Sequence, residues 1–145
     1  MFMKCIRLAT LRINLFSPHG DKLMTNSRLL IMDDEPDFAE YVGIVGEQLG
    51  YETLKINDSR EFKTTYAEFA PDVVVLDMVM PEIDGVELIK WLIAQNAAAK
   101  VVIVSGYNPL YAKMAEVLSE AGGLSDVTTL QKPVRIEVLK NALAI

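Results

Sequence analysis

The sequence predicts an α/β fold, a parallel five-stranded sheet with helices on both faces. Three observations lead there. Short continuous apolar runs end in polar residues: Leu29-Leu30-Ile31-Met32 before Asp33, Val73-Val74-Val75-Leu76 before Asp77, and Val101-Val102-Ile103-Val104 before Ser105. Such runs, without polar alternation, suit strands buried on both faces, as in parallel sheets. Amphipathic helical patterns lie between them, and regular alternation of strand and helix marks a chain of β-α units.

The elements follow in order. The first strand is the run at 29–32. In the first helix, Phe38, Val42, Val45 and Leu49 draw one apolar stripe. Gly43 and Gly46 weaken that helix by roughly 1 kcal/mol each relative to Ala, and allow close packing on the sheet. A weaker strand fits at 52–57. The second helix is expected to begin at Asp58 or Ser59, with Glu61 spaced for a capping box; Asp84 and Glu87 repeat that spacing at the third. The fourth begins Asn108-Pro109, an N-cap followed by proline at the first helical position. Leu110, Met114, Val117 and Ala121 give it an apolar face, and the part of it around Tyr111 and Met114 reads either as a docking surface or as core. A second weaker strand fits at 127–130. The fifth helix runs from about residue 135, with Ile136, Leu139 and Leu143 inward. Trp91 and the five Phe read as packing residues.

Composition sets outer bounds. The chain has 145 residues, 51% apolar and 23% charged, enough for one globular domain. A net charge of −6 argues against a dedicated nucleic-acid binder. One cysteine, Cys5, excludes an internal disulfide, and one histidine, His19, excludes a histidine-based zinc site. No apolar run approaches the roughly 20 residues that span a bilayer. The expectation is a soluble, cytoplasmic protein with neither nucleic acid nor membrane as partner.

Residues 1–23 carry a local +3 out of the whole chain's −6, so the remaining 122 residues carry −9. Arg7 and Arg12 interrupt any signal-peptide core. Ile6, Ile13 and Leu15 among basic residues permit an amphipathic membrane helix, but the acidic bulk opposes anionic lipid. Residues 1–26 are expected to be a disordered or non-native leader, and 27–145 the domain proper. Cys5 reads as a free thiol and His19 as a solvated turn residue.

Ligands of open parallel sheets bind at the carboxyl ends of the strands. There this sequence offers Asp33, Asp34 and Glu35, then Asp77, then Ser105-Gly106, then Lys132-Pro133. Each group alone reads as a cap, a turn or a solvated charge. Together on one edge they carry chemistry. Clustered carboxylates repel unless a cation sits among them. Magnesium is hard, oxygen-liganded and content with one or two carboxylates plus waters. The lack of nearby Cys or His argues against zinc and copper. A lysine and a hydroxyl facing such a metal suit a phosphoryl group, and a carboxylate can be its nucleophile.

The set Asp33-Asp34-Glu35-Pro36, Asp77-Met78-Val79-Met80-Pro81-Glu82-Ile83-Asp84-Gly85, Ser105-Gly106 and Lys132-Pro133 resembles the receiver domains of two-component response regulators, over about residues 27–143. The resemblance implies a flavodoxin-like (βα)5 fold with strand order 2-1-3-4-5. It implies that Asp77 accepts a phosphoryl group from a histidine kinase or histidine phosphotransfer protein. Mg²⁺ would be held by Asp34, Asp77 and the Val79 carbonyl, with Asp33 acting through water. Ser105 and Lys132 would bind the phosphoryl group, and Gly85 would close the loop after the acceptor strand. It further implies a cis Lys132–Pro133 peptide. The chain would be an acceptor with weak autophosphatase activity rather than an enzyme in the usual sense.

Three features depart from that pattern. Thr129 stands where the family usually has Tyr or Phe, so the usual relay from hydroxyl to aromatic has no ring here. The stretch 122–128 is longer than usual. The fifth helix is short and the chain stops at Ile145, which leads to the expectation of a stand-alone receiver acting through an unidentified protein target. Val79 and Tyr107 flank the path of hydrolytic water in the family. Val cannot orient water and Tyr shields, so slow autodephosphorylation is expected. Alternatives remain open: a degenerate, unphosphorylated binding module; a haloacid-dehalogenase-type phosphatase, which needs an Asp where Val79 stands; and a flavin carrier, whose phosphate the acids at 33–35 would repel.

Overall fold

The computed structural model describes residues 26–106, 108–124 and 126–145. The expectations for residues 1–25, including Cys5 and His19, and for Tyr107 lie outside them. Five strands form one sheet: β1 (Arg28–Met32), β2 (Glu52–Ile56), β3 (Val73–Asp77), β4 (Lys100–Ser105) and β5 (Val127–Gln131). They lie in the order β2-β1-β3-β4-β5, all pairs parallel, as expected. The helices are α1 (Pro36–Gln48), α2 (Phe62–Phe69), α3 (Gly85–Ala94), α4 (Pro109–Ala121) and α5 (Ile136–Leu143).

The apolar runs are continuous because alternate side chains enter two different cores. Leu30, Met32, Val74, Leu76, Val101 and Ile103 pack with Phe62, Leu88 and Leu92 beneath α2, α3 and α4. Leu29, Ile31, Val73, Val75, Val102 and Val104 pack on the other face with Val42, Val45 and Leu139 of α1 and α5. Close packing of α1 depends on Gly46, where an added Cβ would stand 2.6 Å from Leu29 Cδ2. Trp91 packs edge-on to Phe62 and Tyr66, a structural role.

The caps hold at two helices. Asp84 accepts from the Glu87 N–H at 3.0 Å, and Asn108 from the Leu110 N–H at 2.9 Å with Pro109 next. At the second helix the expectation fails. Asp58 accepts from the Arg60 N–H at 3.0 Å and caps a 3₁₀ turn, Ser59–Glu61, so α2 begins only at Phe62.

The apolar face of α4 turns outward, and one residue expected inward on α5 needs correction. Leu110, Met114 and Val117 are 62%, 57% and 54% exposed, and Ala121 is exposed too. The buried side of α4 is Ala112, Ala115 and Ser119. Small residues bring the helix close to its neighbours; at Gly122 an added Cβ would stand 2.4 Å from Ile93 of α3. The larger apolar residues are left on the outer face. Ile136 of α5 is likewise exposed, while Leu139, Ala142 and Leu143 are buried. Leu49 is an exposed cap residue rather than part of the α1 core stripe.

Candidate functional site

Strand register assembles the site. Met32 pairs with Leu76, so Asp33 and Asp77 are each the next residue on adjacent strands. Asp77 pairs with Val104, and Ser105 pairs with Gln131, which precedes Lys132. Residues far apart in the chain therefore meet at one sheet edge. The Lys132–Pro133 peptide is cis. After β3 the chain turns sharply, and Gly85 permits it: an added Cβ would stand 2.7 Å from the Asp77 carbonyl oxygen and from Met78 Cα.

Asp33 is fully buried and Asp77 is 5% exposed. One carboxylate oxygen from each of Asp33, Asp34 and Asp77 lies within 4.8 Å of the others. Lys132 Nζ stands 3.0 Å from Asp33 Oδ2 and 3.9 Å from Asp77 Oδ2. Asp33 Oδ1 accepts from the Glu35 N–H at 2.8 Å, whereas the buried Oδ2 receives no well-directed hydrogen bond. Burial, and then the neighbouring Asp33, push the Asp77 carboxyl up to about 7, against the pull of Lys132. Asp33 is raised by burial too, although the Glu35 N–H and Lys132 oppose it. For Lys132, burial works downward, but hydrogen bonds to Glu35 and Asp33 outweigh it and the ammonium is held above its ordinary value.

This donor set fits a hard divalent cation. It is all oxygen, its acids repel one another, and the buried Asp33 Oδ2 has only the Lys132 ammonium beside it. An open cleft of about 1150 Å³ gives access, lined by Asp34, Asp77, Val79, Gly106, Lys132 and Pro133 among others. Val79 is 42% exposed there. Ser105 is buried and is not a lining residue; its hydroxyl donates to the Asn108 carbonyl at 3.4 Å. Thr129 is half-buried on β5, in register with Ile103.

Two participants were not legible as such. Glu35 occupies the N-cap position of α1 but caps nothing; it accepts from Lys132 Nζ instead. Phe38, read as core, holds its ring 4.4 Å from Lys132 Nζ, a cation–π contact. Nothing in local sequence pairs either with a lysine more than ninety positions on. Among the described residues no helix is long and apolar enough to cross a membrane.

Comparison with known proteins agrees with this geometry. The family model for the response regulator receiver domain matches residues 29–144. The sporulation initiation phosphotransferase F of Bacillus subtilis is 27% identical over 120 residues, covering 83% of this chain and 93% of that protein. The positive alginate biosynthesis regulatory protein of Pseudomonas aeruginosa is 34% identical over 118 residues, 79% of this chain but only 45% of that one. The chain likewise spans 34% of the DNA-binding response regulator MtrA of Mycolicibacterium smegmatis and 18% of the regulatory protein AtoC of Escherichia coli. Among solved structures, the Francisella response regulator 1452 receiver domain superposes with a TM-score of 0.66 at 28% identity, covering 80% of this chain and 92% of that one.

Proposed function

Because the chain belongs to the response regulator receiver domain family of two-component systems, we propose that it is a phosphorylation-driven switch whose acceptor is Asp77. The donor is a histidine kinase or a histidine phosphotransfer protein, and the output is binding to another protein. The observation that carries this reading is Asp77 itself, buried at the end of β3 between two further carboxylates and within 3.9 Å of a lysine.

The roles follow from the chemistry of transfer. A carboxylate oxygen of Asp77 attacks phosphorus. The bond from phosphorus to the donor's imidazole nitrogen breaks, its electron pair leaves with the nitrogen, and an acyl phosphate forms. Mg²⁺ held at this cluster would supply neutralisation of charge on the phosphoryl oxygens. Asp34, Asp77 and the Val79 carbonyl would hold it directly, and Asp33 through water. Lys132 exchanges its contacts with Asp33 and Glu35 for the phosphoryl oxygens. The Ser105 hydroxyl exchanges the Asn108 carbonyl for a phosphoryl oxygen. The chain is itself the substrate, and slow loss of phosphate is its only turnover. An overall charge of −6 supports a protein partner over a nucleic acid or membrane.

The test is intact mass after incubation with acetyl phosphate and Mg²⁺. Wild type should gain one phosphoryl group and Asp77→Asn none. Folded wild type that stays unmodified at every Mg²⁺ concentration would favour the unphosphorylated binding module instead.

A further inference from the structure

Glu82 stands at φ +71°, in the left-handed region that side chains other than glycine disfavour. It lies in the loop from Asp77 to α3, the loop that also carries Val79. The peptide groups on both sides of Glu82 close on one hydroxyl. Ser59 Oγ donates to the Pro81 carbonyl at 2.9 Å and accepts from the Ile83 N–H at 2.9 Å. Ser59 is 3% exposed and belongs to the 3₁₀ turn before α2. That turn is itself fixed, because Asp58 accepts from both the Arg60 N–H and its guanidinium.

The rest of the loop is pinned. The Met78 N–H donates to the Val104 carbonyl at 3.2 Å, and the Gly85 N–H to the Met78 carbonyl at 2.9 Å. Met78 is fully buried. With both ends held, relief of the disfavoured turn falls on residues 79–82. If the Ser59 hydroxyl is removed, Glu82 has a direct route out of the left-handed region. That motion rotates the peptide planes beside Val79.

We propose that Ser59 is a positioning residue for the acceptor site. Its hydroxyl bridges the Pro81 and Ile83 peptide groups, holds the strained turn at Glu82, and so aims the Val79 backbone at the cation held by Asp33, Asp34 and Asp77. The inference rests on the receiver reading above, since it presumes Mg²⁺ at that cluster.

The experiment is an Mg²⁺ titration of the full chain followed by amide NMR shifts, which reports affinity and folding together. Four proteins are compared: wild type, Ser59→Ala, Glu82→Gly and Ser59→Ala/Glu82→Gly. Glycine adopts positive φ freely, so the hydroxyl is dispensable once residue 82 is glycine. Ser59→Ala should weaken Mg²⁺ binding about tenfold, the scale of losing a group that orients a ligand. Glu82→Gly and the double variant should both bind within about twofold of wild type on that same scale. Loss of packing alone would not be repaired by a glycine 23 positions away. Unchanged affinity in Ser59→Ala, or a double variant that stays weak or does not fold, overturns the positioning role and leaves the receiver reading intact. If Ser59→Ala does not fold, a folded double variant with near-normal affinity supports the proposal. Wild type that binds no Mg²⁺ overturns both.

Discussion

Replacing Asp77 by Asn should make the metal-free protein more stable at alkaline pH. The fold raises this carboxyl from an ordinary 3.8 to about 7, through burial and the charge of Asp33. At 1.36 kcal/mol for each pH unit, that preference for the neutral form amounts to about 4 kcal/mol. The sign follows from proton linkage. The native state binds this proton more tightly than the unfolded chain, so the contribution is fully present below about pH 4 and is lost as pH rises through about 7. Asn, neutral and of similar size, suffers no such loss. The two proteins should be alike near pH 3.5 and differ by about 2–4 kcal/mol at pH 8, with the variant the more stable. Asp33 is raised in both and cancels to first order. Urea unfolding by far-UV circular dichroism, in EDTA at several pH values, measures the difference. Added Mg²⁺ at pH 8 should close the gap from the wild-type side, because only an ionised Asp77 completes the ligand set. Parallel pH profiles, or a variant less stable at pH 8, would refute the assignment of repulsion to Asp77.

Other predictions concern the neighbours. Lys132→Met should abolish labelling by acetyl phosphate while Mg²⁺ binding persists, since the cation then replaces the ammonium; intact mass and an Mg²⁺ titration separate these. Val79→Asn with Tyr107→Glu should shorten the acyl-phosphate lifetime by up to about a hundredfold, the lower end of what a placed proton acceptor supplies, followed by phosphate release. On α4, Met114→Gln should change the free energy of urea unfolding by less than about 0.5 kcal/mol, whereas Ala115→Gln should cost about 2–4 kcal/mol. Equal effects would mean the helix presents its other face.

The sheet was legible because its signal is redundant. Three runs of Val, Leu and Ile, each ending in a polar residue, leave one architecture that buries both faces and gathers the polar ends. Asp33, Asp77 and Lys132 could be read for that reason; in the structure Lys132 Nζ lies 3.0 Å from Asp33 Oδ2 and 3.9 Å from Asp77 Oδ2. The orientation of α4 was not legible. Its large apolar residues form a stripe at helical spacing, and so do the small Ala112, Ala115 and Ser119 that are buried. Periodicity does not say which of two stripes a helix turns inward when close approach to α3 favours the smaller one. The bridges through Glu35, Phe38 and Ser59 were hidden because each depends on a contact distant in sequence. Asp58 misled because its oxygen serves Arg60 rather than residue 61.

The ion pair between Lys132 and Glu35 joins residues 97 positions apart. Closing so long a loop is a late event in the folding of such a chain, because non-local contacts compensate chain entropy only after it has been surrendered. Until β5 docks on β4, Asp33 and Asp77, both raised by burial, lack the ammonium that pulls each of them down. Without Mg²⁺, such a partly folded chain holds Asp77 in its neutral form to a higher pH than the finished one. On the proposed reading of Asp77 as acceptor, labelling would then favour chains whose last strand has been laid down.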